Sequence, residues 1–448
     1  MFITPSKQII KRRNIDYALL SIIVVLSCIG FLTVISAVSG LSFGQEIIKK
    51  YLIAIPLAAA AFIFGWLFNY QIYNEQWKGV YVFILLFLCS LFFAGVVTRG
   101  SNSWFKFGFV SIQPSEICRI ATILVAAAFL TRSYRSVKEF KTLIFFTLIV
   151  APIFLLIMLQ PDFSSLVITA PALMILLYIA GVNIFYFVLL ALFIISSCGF
   201  LTAWTFIALN PYIIESSGLM YIIWQTGHNL IYILGFCVFV LALCWFVWLI
   251  LRQFRIYVPS IFLFIVAATL LVGFFSGLVI DRHLKNYQRK RIEAFLEPMS
   301  DPKGAGYNVL QARIAMGSGG VLGKGFFSGT QSRLGFIPER HTDFILAVLG
   351  EELGLLGTIG VLILYILLLW RTISVAAMSV DRYGYLVCCG IFGIFFTYMA
   401  VNFGMLIGFV PVAGIPLPFI SYGGSNLVAS MWAFGIVESV YRHRLSMV

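Results

Sequence analysis

Residues 17–38 read YALLSIIVVLSCIGFLTVISAV, a run that contains no charged side chain. As an α-helix this run would be about 33 Å long, enough to cross the hydrocarbon core of a bilayer, which is roughly 30 Å thick. A basic tail, Lys7 to Arg13, precedes it. The run is too long for the apolar part of a signal peptide, and it lacks a clear cleavage site. It therefore predicts a first membrane-spanning helix.

Similar apolar runs recur along the whole chain of 448 residues, which is 61% hydrophobic and only 10% charged. A soluble domain is nearer a quarter charged, because its surface must be hydrated. Pro114 and Glu116 mark the start of one span, since the first helical turn tolerates proline and the helix dipole favours an anion there. The pattern predicts an all-α polytopic membrane protein, a single bundle domain over 1–448. Its 12 predicted spans are 17–38, 51–70, 79–97, 113–131, 143–160, 164–181, 184–209, 229–251, 257–280, 345–369, 384–409 and 418–440.

All eight cysteines lie inside these apolar runs and none lies in a loop. Disulfide frameworks and zinc sites instead place cysteines at set spacings in loops. We interpret the cysteines as small core hydrophobes, and we predict no metal site from them.

The distribution of lysine and arginine predicts which side of the membrane each loop occupies. With the N-terminal tail in the cytoplasm, 15 basic residues lie in inner segments and five in outer ones, the segment 281–343 being left out of the count. Both termini are then cytoplasmic, because the number of spans is even. The segment 281–343 becomes a large extracytoplasmic loop.

That loop carries ten cations and six acids. Long loops cross the membrane whatever their charge, so an ordinary solvated loop is one interpretation. The other is a cationic surface for an anionic, diphosphate-bearing ligand. Eight glycines between Gly304 and Gly329 permit positive φ and close backbone approach, and Lys324 among them could reach a phosphate. Their spacing matches no Walker sequence, so this signal alone is weak.

The loop ends in Phe336-Ile337-Pro338-Glu339-Arg340-His341-Thr342-Asp343-Phe344, with five polar residues directly before an apolar run. The commoner interpretation is helix capping, with Thr342 or Asp343 as the N-cap. A carboxylate at a helix N-terminus also stays ionised, because the helix dipole stabilises its charge. Asp343 is therefore also a candidate base or metal ligand.

Glu351 and Glu352 follow roughly 12–14 Å along the next helix. Acids within a membrane span are functional candidates by default. A buried structural hydrogen-bond network is an equal alternative for this pair.

Together these motifs resemble the SEDS family of bacterial cell-wall proteins. The likeness covers nearly the whole chain, and the string that ends in Asp343 is its most specific part. Arg340, the Gly-Thr-Gln at 329–331 and the Asn-Phe-Gly-Met at 402–405 resemble the elongation branch rather than the division branch. The stretches that carry the likeness are 113–116, 160–162, 287–296, 301–302, 304–308, 314–320, 323–325, 329–331, 338–344, 351–354 and 416–425.

The resemblance implies a peptidoglycan glycosyltransferase that polymerises lipid II during cell-wall elongation and cell-shape maintenance. It implies a location in the bacterial inner membrane and work with a class B penicillin-binding protein and other elongation-complex proteins. Lipid II and membrane lipid are the expected ligands, and no nucleic acid is expected. The catalytic aspartate maps onto Asp343. The substrate-binding positions map onto Glu116, Arg119, Asp162, Lys324, Gln331, Glu339, Arg340, His341, Thr342 and Ser421.

The chemistry that this resemblance implies needs one base. Lipid II holds its sugar through an α-linked diphosphate and the glycan product is β-linked, so a single inverting displacement suffices. Asp343 would deprotonate the acceptor 4-hydroxyl or hold a cation against it, while Lys324 and the two arginines Arg119 and Arg340 would stabilise the leaving diphosphate. No cofactor is certain; Mg²⁺ or Mn²⁺ could assist, although the sequence shows no carboxylate cage for one. A lipid II flippase or transporter and a non-enzymatic scaffold of the synthesis complex remain the alternative functions.

The chain departs from the family pattern in several places. Ser103 stands where the family usually has an arginine, so a phosphate contact there would fall to Arg99 or Lys106. Arg119 replaces the usual lysine, and the residues after Asp162 read Phe-Ser-Ser instead of Leu-Gly-Thr. The family has ten spans, and we interpret the two additional ones within 184–251 as an inserted peripheral hairpin.

Overall fold

The computed structural model describes residues 15–41, 44–98, 101–107, 110–284, 286–300, 304–337 and 339–444. Within them the chain is predominantly helical, so the predicted all-α membrane architecture is confirmed. The helices are α1 (Tyr17–Val38), α2 (Gly44–Leu67), α3 (Tyr70–Glu75), α4 (Trp77–Ala94), α5 (Pro114–Arg132), α6 (Phe140–Leu159), α7 (Phe163–Ala180), α8 (Ile184–Leu209), α9 (Tyr212–Ser216), α10 (Gly218–His228), α11 (Leu230–Gln253), α12 (Ser260–His283), α13 (Asn286–Leu296), α14 (Ala305–Ser318), α15 (Thr330–Arg333), α16 (Ile345–Ala377), α17 (Arg382–Ile407) and α18 (Gly424–His443).

Eleven of the described helices are long and apolar enough to cross a membrane, and the protein is a multi-pass membrane protein. The twelfth predicted span, 418–440, corresponds to α18, which begins only at Gly424 and contains 20 residues. Buried polar side chains such as Asn426, Ser430 and Glu438 make α18 less apolar than the others. The eleven spanning helices are α1, α2, α4, α5, α6, α7, α8, α11, α12, α16 and α17.

A small antiparallel sheet, which the sequence did not predict, lies between α4 and α5. Its strands are β1 (Val96–Thr98), β2 (Ser101–Phe107) and β3 (Val110–Ile112), in the order β1-β2-β3. On β2, Ser103 is buried and Lys106 is exposed, whereas Arg99 lies outside the described residues. The sheet leads into α5, whose predicted start at Pro114 is confirmed.

The chain divides into two compact units. The unit that we call the main bundle comprises Met1–Gly181, Ile314–Leu406 and Ala413–Val448. Its most enclosed helix is α5, which is buried along most of its length. Glycines let α2 and α18 pack closely, because a Cβ at Gly65 would lie 2.8 Å from the carbonyl oxygen of Trp432, and one at Gly435 would lie 2.4 Å from that of Phe62. Small residues at such crossings are typical of membrane helix packing.

The second unit comprises Val182–Arg313 and Ile407–Val412. Its core is aromatic, with Trp204 of α8 packed edge to face on Phe274 of α12. The predicted hairpin 184–251 contains the expected long helices α8 and α11, with the short helices α9 and α10 between them. Whether this segment is an insertion stays a prediction. The predicted loop 281–343 is largely helical, since it contains α13, α14 and α15.

Candidate active site

The helix that follows Asp343 is broken, although the sequence indicated a plain span. Within α16, Gly354 has φ +66° and ψ −165°, which interrupts the helical backbone. A φ in this range favours glycine, since a Cβ would be strained there. The segment 345–353 is therefore a short helical piece at the start of α16. It carries Glu351 and Glu352, both buried.

The break is filled by the glycine-rich loop. The backbone N–H groups of Lys324 and Gly325 donate to the carbonyl oxygens of Glu351 and Glu352, at 3.1 and 2.9 Å. In return the N–H groups of Leu355 and Leu356 donate to Gly320 and Val321. A helix end leaves such groups without helical partners, and here the loop supplies them.

The loop approaches the helix so closely that side chains are excluded. A Cβ on Gly323, whose φ is +80°, would lie 2.1 Å from the carbonyl oxygen of Glu352. One on Gly319 would lie 2.0 Å from the carbonyl oxygen of Gly350. Gly319 and Gly323, two of the eight glycines that suggested a phosphate loop, thus serve this backbone packing.

Two of the predicted substrate positions, Lys324 and Gln331, meet around Glu351. The Lys324 ammonium lies 3.0 Å from Glu351 Oε1. The same carboxylate accepts hydrogen bonds from the Thr330 hydroxyl and from the backbone N–H groups of Gln331 and Ser332, at 2.8 to 3.0 Å. Of the two interpretations for this acid, the buried structural network is the one that the structure shows. The Gln331 side-chain oxygen is buried and has no hydrogen-bond partner among the described residues.

The last turn of α1 joins this network to the string that contains Asp343. The Ser36 hydroxyl donates to Glu352 Oε1, and the Arg340 Nε donates to the carbonyl oxygen of Ala37 at 2.7 Å. Arg340 is only 2% exposed, and burial lowers the pKa of its guanidinium. Its Nη2 has no hydrogen-bond partner in the part of the chain that the structure describes. The sequence predicted Arg340 as a substrate-binding cation, and the structure shows that this cation is buried.

Neither Thr342 nor Asp343 is the N-cap of α16, so that prediction is wrong. The N-cap residue is Phe344, and it makes no side-chain cap hydrogen bond. The Thr342 hydroxyl instead turns back to the carbonyl oxygen of Glu339 at 3.2 Å and to its carboxylate at 3.3 Å. Glu339 has φ +52°, so the chain turns sharply before the helix begins. Asp343 is half-buried just before the first turn of α16.

The segment before α18 supports the same string. The backbone N–H of Tyr422 donates to the carbonyl oxygen of His341 at 2.8 Å, and the two rings lie 5.7 Å apart. The predicted position Ser421 is buried, and its hydroxyl accepts from the N–H of Leu417 at 2.8 Å. Ser421 thus stabilises the turn that holds Tyr422 against His341.

A second polar cluster brings together Glu116, Arg119 and Asp162, all buried. Arg119 Nη1 lies 2.8 Å from Glu116 Oε2 and also donates to the Tyr398 hydroxyl. Arg119 Nη2 donates to the Ser165 hydroxyl at 3.1 Å, which in turn donates to Asp162 at 2.8 Å. This network connects α5, α7 and α17 inside the main bundle. Its hydrogen bonds join residues within the protein, while the buried Arg119 Nε has no hydrogen-bond partner among the described residues.

Sequence reasoning missed two members of that cluster. The Tyr398 hydroxyl donates to Glu116 at 2.9 Å, and the Asn426 side-chain amide donates to the Tyr398 hydroxyl at 2.8 Å. Tyr398 lies in α17 and Asn426 in α18. The available signal was a polar side chain inside a membrane helix, which is costly unless a partner satisfies it.

An apolar cavity of about 770 Å³ lies in the main bundle beside this cluster. Ile117 and Ala121 line it from α5, the helix that carries Glu116. The other lining residues come from α2, α3, α4 and α18, including Ala60 and Trp432, together with Phe68 between α2 and α3 and Gln76 between α3 and α4. A cavity of this character suits a hydrocarbon chain better than a sugar.

Among the described residues, no group of three or more His, Cys, Asp or Glu side chains is placed to hold a metal ion. The candidate site therefore consists of two buried polar clusters, one around Glu351 and one around Glu116, and of the half-buried carboxylate of Asp343 just before α16.

A family model described as cell cycle protein, FtsW/RodA/SpoVE, matches residues 17–220 and 219–446. The chain belongs to this family. Among its relatives, the peptidoglycan glycosyltransferase MrdB of Escherichia coli K12 is 32% identical over 374 residues, which cover 84% of this chain and 80% of that protein. The peptidoglycan glycosyltransferase RodA of Treponema pallidum is 31% identical over 448 residues, which cover 96% of this chain and 98% of the relative.

Solved structures show the same FtsW/RodA/SpoVE fold. A chain from a peptidoglycan synthase complex, described as coordinating polymerisation and crosslinking, superposes with a TM-score of 0.65 at 23% identity. The RodA protein of Thermus thermophilus superposes with a TM-score of 0.57 at 20% identity. Each comparison covers 96% of this chain and 98% of the other. The expected SEDS-type helix bundle is confirmed.

Proposed function

We propose that this protein is a peptidoglycan glycosyltransferase that polymerises lipid II for cell-wall elongation, with Asp343 as its catalytic base. Family membership and the activity named for MrdB and RodA support the glycosyltransferase assignment. The observation that carries the role of Asp343 is its place, half-buried at the point where α16 begins and where α1 and the segment before α18 hold the preceding residues.

The proposed reaction is one in-line displacement. The acceptor 4-hydroxyl oxygen bonds to C1 of the donor sugar, and the bond from C1 to the diphosphate oxygen breaks. The hydroxyl proton passes to the Asp343 carboxylate, and the bonding pair leaves with the diphosphate. Since the donor linkage is α and the product is β, one inversion requires one base and no covalent intermediate.

Arg340 is the cation that we assign to the leaving diphosphate. Its Nη2 is a buried donor without a hydrogen-bond partner among the described residues, and such a donor has a strong preference for an anion. Arg340 lies three residues before Asp343, in the same segment that α1 and the residues before α18 hold in place. Its Nε bond to Ala37 fixes the direction of the guanidinium plane, so little reorganisation is needed as charge develops.

The apolar cavity gives a lipid-linked substrate a place for its hydrocarbon chain. Small side chains at Ala60 and Ala121 leave this space open in the membrane part of the main bundle. Burial of each CH₂ group contributes about 0.8 kcal/mol. The binding energy of this hydrocarbon chain would then keep the lipid headgroup bound while the reaction takes place at the catalytic site.

The proposal includes the partner and the orientation. We place the chain in the bacterial inner membrane, with both termini cytoplasmic and Asp343 on the outer side, because the basic residues follow that distribution. A class B penicillin-binding protein is the proposed partner, supported by the structural likeness to a chain of a peptidoglycan synthase complex. A divalent cation, Mg²⁺ or Mn²⁺, could bind together with the substrate diphosphate.

The test uses purified protein in detergent, alone and with its class B partner, supplied with lipid II. Long glycan strands that a muramidase specific for β-1,4 linkages digests are the expected product. Detergent leaves no second compartment, so a flippase would yield no product. Well-folded protein that forms no strands under either condition would contradict the proposal.

A further inference from the structure

Lys324 is the cation of the glycine-rich loop; its side chain is 28% exposed, and its ammonium group has three hydrogen-bond acceptors within the protein. It donates to the Ser318 hydroxyl at 2.7 Å, to the Thr330 hydroxyl at 2.8 Å and to Glu351 Oε1 at 3.0 Å. An ammonium group has three N–H donors. A phosphate could bind this lysine only by displacing one of these partners.

The partner carboxylate is equally engaged. Glu351 is fully buried and accepts four hydrogen bonds, two of them from the backbone of α15. Without Lys324, this carboxylate would remain as an uncompensated buried anion, which is strongly unfavourable. The two side chains therefore satisfy each other's charge and their own hydrogen bonds, with Glu351 fully buried and Lys324 partly exposed.

What the pair holds in place is the start of α16. The backbone of Lys324 also donates to the carbonyl oxygen of Glu351, so side chain and main chain fasten the loop at the same point. Glu351 lies eight positions after Asp343 along the chain, in the short helical piece that ends at the Gly354 break. Because helices are rigid over two turns, a shift at Glu351 moves the whole piece that follows Asp343.

We propose that Lys324 and Glu351 form a positioning pair that sets the place of Asp343, and that Lys324 is not a ligand of the leaving diphosphate. This inference rests on the proposed function for its kinetic test. It assigns different roles to two cations of the predicted site: Arg340 contacts the anion, and Lys324 acts through Glu351.

The test is a double-mutant cycle of Lys324→Met, Glu351→Gln and the double variant, each as the full-length chain with its partner. Each single variant lowers kcat per folded molecule about 100-fold, as expected when a catalytic group is misplaced by about 1 Å. The double variant is no slower than the slower single, because both changes remove one interaction. KM for lipid II stays within about twofold of the wild-type value. A pair that served only stability would leave kcat per folded molecule unchanged.

The second readout is binding of undecaprenyl diphosphate, the expected leaving product, which requires no turnover. Lys324→Met binds it within about twofold of wild type, while Arg340→Lys, the comparison variant, loses about tenfold. Tenfold weaker binding by Lys324→Met, or losses in kcat that multiply in the double variant, would overturn the inference. Failure of the proposed function is distinguishable, because wild type would then form no glycan at all, while the melting temperatures of the cycle still report the pair.

Thr330→Val is the milder variant in case Lys324→Met does not fold. The Thr330 hydroxyl contacts both members of the pair, so its loss loosens them without leaving a bare charge. Its kcat falls about tenfold with unchanged binding of undecaprenyl diphosphate. A wild-type kcat in this variant would contradict the positioning role.

Discussion

Gly323 provides a graded test of how the glycine-rich loop meets the broken helix. Its φ is +80°, and a Cβ there would lie 2.1 Å from the carbonyl oxygen of Glu352 and 2.6 Å from the backbone nitrogen of Gly354. Gly323→Ala therefore combines two costs: about 1–2 kcal/mol for a left-handed residue other than glycine and about 1–3 kcal/mol for overpacking against backbone that cannot rotate away. We expect a total loss of roughly 2–5 kcal/mol in the stability of this region.

Gly320 is the matched control, because it shares the conformation and lacks the obstruction. Its φ is +58°, and a Cβ there would meet no atom within 4 Å. Gly320→Ala should lose only the stability that a left-handed residue other than glycine costs, about 1–2 kcal/mol. The measurement is the temperature at which each purified variant loses its monodisperse gel-filtration peak, together with its polymerisation rate. Equal losses in the two variants would refute the close packing of loop and helix.

Further predictions concern the buried cluster and the apolar cavity. Glu116→Gln leaves the buried Arg119 without the charged partner of its ion pair, and should cost about 3–5 kcal/mol, measured as a fall in melting temperature. Tyr398→Phe removes hydrogen bonds from the same cluster without a change of charge, so its cost in stability should be smaller, about 1–3 kcal/mol. A larger fall in melting temperature than that of Glu116→Gln would contradict the ion pair as the centre of the network. Ala121→Trp fills the cavity and should raise KM for lipid II about tenfold or more with little change in kcat. Ala59→Trp, on the exposed side of α2, should change neither quantity. An unchanged KM in Ala121→Trp would exclude the cavity as the binding site for the hydrocarbon chain of the lipid.

Much of the fold was accessible from composition, because a membrane helix satisfies its own backbone and needs only a long apolar run. The start of α5 at Pro114 followed from proline's missing N–H group. The break at Gly354 did not, since one glycine in an apolar run has the same sequence signature whether the helix continues or turns. Its partners, the N–H groups of Lys324 and Gly325, lie some 30 residues earlier in the chain.

The sequence motif that ends in Asp343 identified the candidate site, but the sequence did not show which residues contact one another inside it. Asp343 stood out because polar residues crowd a helix start, yet the same crowding suggested a cap that Phe344 provides without a side-chain bond. Lys324 was expected to face a ligand, because a sequence shows the charge of a side chain and not its hydrogen bonds, here to Ser318, Thr330 and Glu351. Tyr398 and Asn426 were missed, since only the folded bundle brings their side chains to Glu116.

The most direct test of the account is the polymerisation rate of Asp343→Asn, which keeps the shape of the side chain and removes the base. The full-length variant is assayed with lipid II and its partner, beside Asp281→Asn, an acid of the same predicted loop that pairs with Arg289 at 3.0 Å. With Asp343 as the catalytic base, we expect Asp343→Asn to fold normally and to lose about 10²–10⁴-fold in rate, while Asp281→Asn polymerises like wild type. Glycan formation at the wild-type rate by folded Asp343→Asn would contradict it.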